Sequence, residues 1–126
     1  MQRDMDLIRE LVLGIAESPR KPSWKDLTEG KTNEETEKAL YHIGLLDEAG
    51  FIKGMKTSMQ GWVLWQDLDL TWEGHDFADS VKDPDIWAKT KKGATAAAGG
   101  FTVDLLKDLA KGLIKKQIEE YTGVKL

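Results

Sequence analysis

The chain has 126 residues, a hydrophobic content of 40% and a net charge of −4, as expected for one domain with a single core and room for an appendage. It contains no cysteine, which excludes a disulfide framework, a thiolate metal site and a cysteine nucleophile, and which is typical of a reducing compartment. No apolar run approaches about 18 residues, and the first residues lack the apolar region of a signal peptide. We therefore expect a cytoplasmic protein without a membrane span.

Charge is distributed unevenly along the chain. Residues 1–88 carry 10 Lys and Arg against 18 Asp and Glu, a net charge of −8, whereas residues 89–126 carry 8 against 4, a net charge of +4. An acidic body with a basic tail is poor evidence for a broad nucleic-acid surface. It leaves room for a local basic contact.

Two helices are predicted in the first quarter of the chain. The first, residues 4–17, has an apolar stripe at helical spacing, formed by Met5, Ile8, Leu11, Val12 and Ile15. The second, residues 23–29, is short, with Ser23 as its cap, Trp24 and Leu27 buried, and Gly30 at its end.

A third helix is predicted to run to residue 49, with Thr32 or Asn33 as its cap and Gly50 at its end. With Thr32 as the cap, Glu35 completes a capping box. A helical wheel gives it two faces. The inward face carries apolar residues, namely Ala39, Leu40, Ile43 and Leu46. The outward face carries Glu34, Glu37, Lys38, Tyr41, Leu45 and Glu48. This outward face would meet DNA or a protein partner.

A β-hairpin follows, with strands at residues 51–57 and 62–70 and a turn at residues 58–61. Strict alternation directs the leucines of the second strand towards the helices and places Trp65 on the opposite face, with Asp67 and Asp69. The order helix, strand, turn, strand, helix predicts an α+β fold. We expect a winged helix-turn-helix with a small antiparallel β-hairpin as its wing and a long C-terminal helix.

The last part of the chain contains an Ala/Gly-rich stretch, residues 93–100, where glycines bracket the alanines and favour a linker over a helical end. We therefore assign residues 1–92 to the winged-helix domain and residues 101–126 to a C-terminal amphipathic helix. The apolar residues of that helix cover about two-thirds of its circumference, wider than the ~100° of one packing face. This width predicts a homodimer with contacts through Leu105, Leu109 and Leu113.

Several stretches resemble an uncharacterised bacterial and phage family, domain of unknown function 2513. The resemblance is carried by RDMDLIR at residues 3–9, by YH and LLDEAGFI at residues 41–42 and 45–52, and by LTWEGHDF at residues 70–77. Further matches are IW at residues 86–87, KTK at residues 89–91 and the lysine-rich leucine helix at residues 105–118. The family has no established activity, so the resemblance implies relatives without implying a function.

No residue set indicates a reaction. His75 and Asp79 have the i, i+4 spacing that a metal site uses, but an acid-rich first turn is already favoured by the helix dipole. No serine has partners for nucleophilic catalysis, and the carboxylates are too scattered to single out a pair. We predict no metal, no cofactor and no enzymatic activity.

Two functions from different classes stay open. A winged helix suits DNA, because its third helix and wing fit a groove and the flanking backbone. Glutamates on the outward face of the third helix would repel phosphates, and they favour a protein partner. The candidate contacts in either case are Lys38, Tyr41, Leu45, Lys53, Lys56 and, if exposed, Trp65. Salt-dependent affinity for duplex DNA separates the two functions.

Overall fold

The computed structural model describes residues 1–96 and 103–125, and among these the side chains of residues 94–96, 103–107, 109 and 110 are not described. The described chain forms six helices and one two-stranded antiparallel sheet, in the order α1 (Met5–Glu17), α2 (Trp24–Leu27), α3 (Asn33–Glu48), β1 (Ile52–Met59), β2 (Trp62–Leu70), α4 (Trp72–Val81), α5 (Pro84–Ala96) and α6 (Val103–Thr122). The predicted α+β class, the antiparallel hairpin and the long last helix are confirmed.

The chain divides into two compact units, Met1–Ala78 and Asp79–Leu126, and each is described by itself. In the first unit, α1 packs against α3 and β2, and the predicted apolar stripe of α1 is buried. Asp4 caps α1, because its carboxylate accepts a hydrogen bond from the Leu7 N–H at 3.2 Å. The sequence-based prediction for this helix is confirmed.

α3 begins and ends as its local sequence predicts. The Thr32 hydroxyl accepts from the Glu35 N–H at 3.2 Å, and the Glu35 carboxylate accepts from the Thr32 N–H at 2.9 Å. Gly50 follows the helix with a φ of 78°, a conformation that glycine adopts without strain. Its inward face is buried as predicted.

The prediction that Trp24 and Leu27 of α2 are buried is wrong, since both side chains are half-buried. α2 has only four residues, and one helical turn cannot cover two large apolar side chains from every side. A Cβ built on Gly14 of α1 would lie 3.2 Å from the Leu27 Cδ2, so Leu27 packs on α1 along one side only.

The hairpin turns at Gln60 and Gly61, whose φ values of 52° and 84° match the two-residue turn that fits the twist of antiparallel strands. Lys53 pairs with Asp69 and Met55 pairs with Gln66, so β2 has one residue more than β1 between these pairs. Asp67, with a φ of 50°, lies in this bulge.

The bulge overturns the predicted orientation of Trp65. Strict alternation places its side chain away from the helices, but the residue is only 2% exposed. The extra residue shifts the alternation by one position, so Trp65 is buried along with Leu68 and Leu70. Gly54 permits the bulge, because a Cβ there would lie 2.9 Å from the Gln66 carbonyl oxygen.

In the second unit, α5 packs against α6. α5 continues to Ala96, four residues into the stretch predicted as a linker, and residues 97–100 of that stretch lie outside the described residues. Of the three predicted dimer contacts, Leu113 is half-buried, whereas the side chains of Leu105 and Leu109 lie outside the described part. The division at residues 92 and 93 stays a prediction. Within the described residues, no helix is long and apolar enough to cross a membrane.

Candidate functional site

A groove of about 450 Å³ lies between α3 and the hairpin, and we call it the α3–hairpin groove. Its lining includes Tyr41, Leu45, Lys56, Trp62, Val63 and Trp65. Its volume lies within the range of roughly 300–1,000 Å³ that is common for ligand sites. The groove thus brings together four of the six predicted contact residues.

The helical side of the groove is one stripe of α3. Tyr41, Gly44, Leu45 and Glu48 have i, i+3, i+4 and i+7 spacing, which places them along one line of the helix surface. Gly44 has no side chain, and a Cβ built there would have no atom within 4 Å. This missing side chain leaves open space between the α3 backbone and the hairpin.

Aromatic and apolar side chains give the groove an open wall and a closed floor. Tyr41, Trp62 and Val63 are 44%, 42% and 43% exposed, whereas Trp65 is 2% exposed. Large apolar groups that are nearly half exposed in one concave surface are characteristic of an interaction site. An apolar group that enters the groove would cover these residues and gain the free energy of their burial.

Trp65 contributes a hydrogen-bond donor that has no acceptor. Its indole Nε1 is buried, and no hydrogen-bond partner for it occurs in the described part of the chain. A buried donor without an acceptor costs about 1–3 kcal/mol.

Lys56 and two carboxylates form the charged edge of the groove. The Lys56 ammonium lies 5.2 Å from the centroid of the Trp65 ring and 3.3 Å from the Asp47 carboxylate. Glu48 also lines the groove and is exposed. The edge therefore carries two negative groups against one positive group, and it suits an occupant with positive charge.

The other two predicted contact residues lie outside the groove lining. The Lys38 ammonium donates to the Asp4 carboxylate at 2.8 Å and so connects α3 with the cap of α1. Lys53 is exposed on β1, opposite Asp69. Lys38 therefore holds two helices together instead of standing free for a ligand.

The Asp4–Lys38 pair gives the unit an acid-sensitive contact. The hydrogen bond from Lys38 holds the pKa of Asp4 below its usual 3.8, while partial burial opposes this shift. Because the folded-state pKa is lowered, the stabilisation is present above about pH 4 and is lost as the pH falls through the folded value. We expect Asp4→Asn to lose less stability than the wild type between pH 5 and pH 2.

Denaturant unfolding across that pH range tests this prediction. Asparagine is a suitable replacement, because it caps a helix about as well as aspartate and carries no titrating group. Parallel pH profiles for the two proteins would contradict a contribution from Asp4.

Sequence analysis did not single out Gly44, Trp62 or Val63, and it placed Glu48 on the outward face of the third helix without naming it as a candidate contact. The available signal is the i, i+3, i+4, i+7 spacing on α3 combined with a two-residue hairpin turn, which places the start of β2 beside the helix. The described residues contain no group of three or more His, Asp or Glu placed to hold a metal ion, so no further ligands accompany the i, i+4 spacing of His75 and Asp79.

The described residues form an α+β chain with a groove between α3 and the β-hairpin, and half-exposed apolar side chains line part of that groove. The chain belongs to the family described as Hypothetical protein (DUF2513), whose model matches residues 2–100. It is similar to an uncharacterised protein of Haemophilus influenzae, with 28% identity over 118 residues that cover 94% of this chain and 99% of that protein. No solved structure matches the chain.

Proposed function

We propose that the chain is a winged-helix protein that acts as a non-enzymatic, dimeric protein-interaction or regulatory module of bacterial or phage origin in the cytoplasm. Its working surface is the α3–hairpin groove. The observation that carries the proposal is the exposure of Tyr41, Trp62 and Val63, each above 40%, around the buried Trp65 in one concave surface.

The order of elements in the first unit supports the winged-helix assignment. Three helices precede a hairpin that lies beside the third helix, and the chain before α2 also contacts the sheet. The Leu68 N–H of β2 donates to the Pro22 carbonyl at 2.8 Å, a contact in the position of a short third strand. This likeness concerns the fold, and the groove carries the functional argument.

The distribution of charge favours a protein partner over DNA. The unit Met1–Ala78 has nine Lys and Arg against fifteen Asp and Glu, a net charge of −6. Lys21, Lys31, Lys38 and Lys56, which could neutralise phosphates, each lie within 4.0 Å of a carboxylate. DNA affinity depends on cations that replace counterions along the backbone. A DNA-binding regulator that uses α3 and the wing is the alternative.

Site-specific photo-crosslinking in cells tests the proposal. A photoreactive phenylalanine in place of Val63 is expected to crosslink one defined protein, identified by mass spectrometry. The matched control is the same group in place of Trp72, which is 79% exposed and lies outside the groove. The adduct should be lost when Tyr41→Ala is added, because this change removes one wall of the groove.

Two outcomes would overturn the proposal. Equal crosslinking from the Val63 and Trp72 positions would show that the groove has no preferred occupant. Binding to duplex DNA that is strong at low salt, weakens steeply with added salt and is lost on Lys53→Glu with Lys56→Glu would support the DNA-binding alternative.

A further inference from the structure

We infer that the α3–hairpin groove binds a basic amphipathic segment of a partner protein, in which an apolar side chain lies between lysines or arginines. The inference rests on the proposed interaction function and adds the chemistry of the partner. It follows from the carboxylates that extend the helical side of the groove in both directions along α3.

The stripe of α3 that lines the groove carries carboxylates on both sides of its apolar part. Four residues of this stripe have i, i+4, i+7 and i+11 spacing, namely Glu37, Tyr41, Gly44 and Glu48. Glu34 precedes Glu37 by three residues on the same side of the helix, and all three glutamates are exposed. At 1.5 Å per residue, Glu37 and Glu48 lie about 16 Å apart along the helix axis.

These three glutamates are not neutralised by the protein itself. Within the described part of the chain, no lysine, arginine or histidine forms an ion pair with Glu34, Glu37 or Glu48. The ammonium of Lys38, the lysine nearest to Glu37 in sequence, lies 2.8 Å from the carboxylate of Asp4. Cations of a partner would therefore meet unpaired carboxylates and would not have to displace a lysine of this chain.

The stability of α3 does not explain the position of Glu48. Glu34 lies in the first turn, where the helix dipole favours an acid. Asp47 and Glu48 lie in the last turn, which contains no basic residue, and a carboxylate is unfavourable at that end of a helix. Lys56 offsets Asp47 at 3.3 Å, whereas Glu48 has no such cation among the described residues. A cation from a partner would offset Glu48 in the same way.

The apolar and the charged parts of this surface require the same kind of segment. Burial of Tyr41, Trp62 and Val63 favours an apolar or aromatic side chain in the groove. The flanking glutamates repel phosphates and acidic peptides, and they attract lysine and arginine. Basic residues that reach both Glu37 and Glu48 would be about eleven positions apart in a helix or about five apart in a strand.

Selection of peptides from a phage-displayed library of random 16-residue sequences on the full-length protein tests the inference. A parallel selection on Gly44→Gln identifies the peptides that use the groove, because a neutral side chain at this position would occupy its open space. This variant is expected to fold, since a Cβ there meets no atom within 4 Å and glutamine favours a helix more than glycine does. Peptides enriched on the wild type but not on Gly44→Gln are expected to carry an apolar or aromatic residue between lysines or arginines.

Synthetic copies of the enriched peptides then separate charge from apolar contact. In fluorescence anisotropy, Glu37→Gln combined with Glu48→Gln is expected to weaken their binding about two- to thirtyfold and to reduce its dependence on salt, because two exposed charge pairs are lost. Glu73→Gln combined with Asp76→Asn is the matched control, since it removes the same charge from two exposed residues of α4 outside the groove lining. This control should bind the peptides like the wild type.

Three outcomes would overturn the inference: groove-dependent peptides that are neutral or acidic, the absence of any groove-dependent peptide, or equal effects of the two double variants. Photo-crosslinking from the Val63 position distinguishes this failure from failure of the proposed function. If a defined protein is captured there through a neutral or acidic segment, the interaction function stands and only the inferred chemistry of the partner is wrong. If no defined protein is captured, both are wrong.

Discussion

Replacing Gly74 by alanine is expected to lower the free energy of unfolding by about 3 kcal/mol. Gly74 lies in the first turn of α4, where the helix backbone approaches the chain that joins α3 to β1. A Cβ at this position would overlap with the Phe51 carbonyl oxygen, and it would lie 3.0 Å from the carbonyl carbon and 3.3 Å from the Leu70 Cβ. The obstacle is backbone, which cannot rotate away as a side chain does.

Hydrogen bonds fix both sides of this approach. The Thr71 N–H donates to the Phe51 carbonyl at 3.0 Å, and the Thr71 hydroxyl donates to the Gly50 carbonyl at 2.6 Å. The Gly74 N–H donates to the same hydroxyl at 3.1 Å. Relief of the overlap would therefore stretch the contact that caps α4 and closes the end of α3.

Gly44→Ala is the matched control, because Gly44 is also helical and its added Cβ would meet no atom within 4 Å. There the exchange should be neutral or stabilise the protein by up to about 1 kcal/mol, the difference in helix propensity between the two residues. Urea unfolding of the three proteins gives the comparison. A Gly74→Ala protein as stable as the wild type would show that the close approach is absent.

Local sequence signals predicted α1 from its apolar spacing and α3 together with its cap. Thr32 with Glu35 satisfies backbone donors within three residues, so this geometry depends on little else. Asp4, which was predicted inside the first helix, caps α1 instead. The burial of α1 follows from its apolar spacing. These features explain why the class of fold and the start of α3 were predicted before any packing was known.

The position of Trp65 could not be predicted from alternation. The bulge that turns its side chain inward depends on Gly54 in β1 and on the positive φ of Asp67 in β2, two residues on different strands. A glycine inside a strand is the one local signal for such an irregularity. The position of a bulge depends on how two strands pair, so it cannot be inferred from the alternation of residues along one strand.

The candidate site was predicted in part for the same reason. Tyr41 and Leu45 follow from the wheel of α3, since their direction depends on the helix alone. The ion pair between Lys38 and Asp4 joins residues 34 positions apart, and only the packing of α1 on α3 brings them together. Lys38, which was predicted as a contact for a ligand, instead connects α3 to α1.

The groove combines features that a purely structural surface would not need. Three half-exposed apolar side chains line one concavity, and Trp65, which also lines it, has a buried donor without an acceptor. Departures of this kind from local consistency are expected where a chain binds something. Among the described residues, the Trp65 Nε1 is a buried donor without a partner, whereas the caps of α1 and α3 are hydrogen-bonded.

Among the polar residues around the groove, His42 is expected to be the one whose replacement lowers the free energy of unfolding most. It is 0% exposed, and its Nε2 accepts from the Asp4 N–H at 2.8 Å while its Nδ1 lies 2.8 Å from the Lys38 carbonyl. A carbonyl only accepts, so Nδ1 carries the proton and the ring is neutral. We expect His42→Ala to lower the free energy of unfolding by about 3 kcal/mol, through a cavity and an unpaired N–H at Asp4.

Two further variants separate these causes. His42→Leu fills most of the volume but offers no acceptor, so it should still cost about 1–3 kcal/mol and should speed hydrogen exchange of the Asp4 amide. His75→Ala removes an exposed histidine and should change stability by less than about 0.5 kcal/mol. An unchanged exchange rate of the Asp4 amide in His42→Leu would contradict the role of His42 as its hydrogen-bond acceptor. Faster exchange of the Asp4 amide would identify His42 as a residue that connects α3 to the cap of α1.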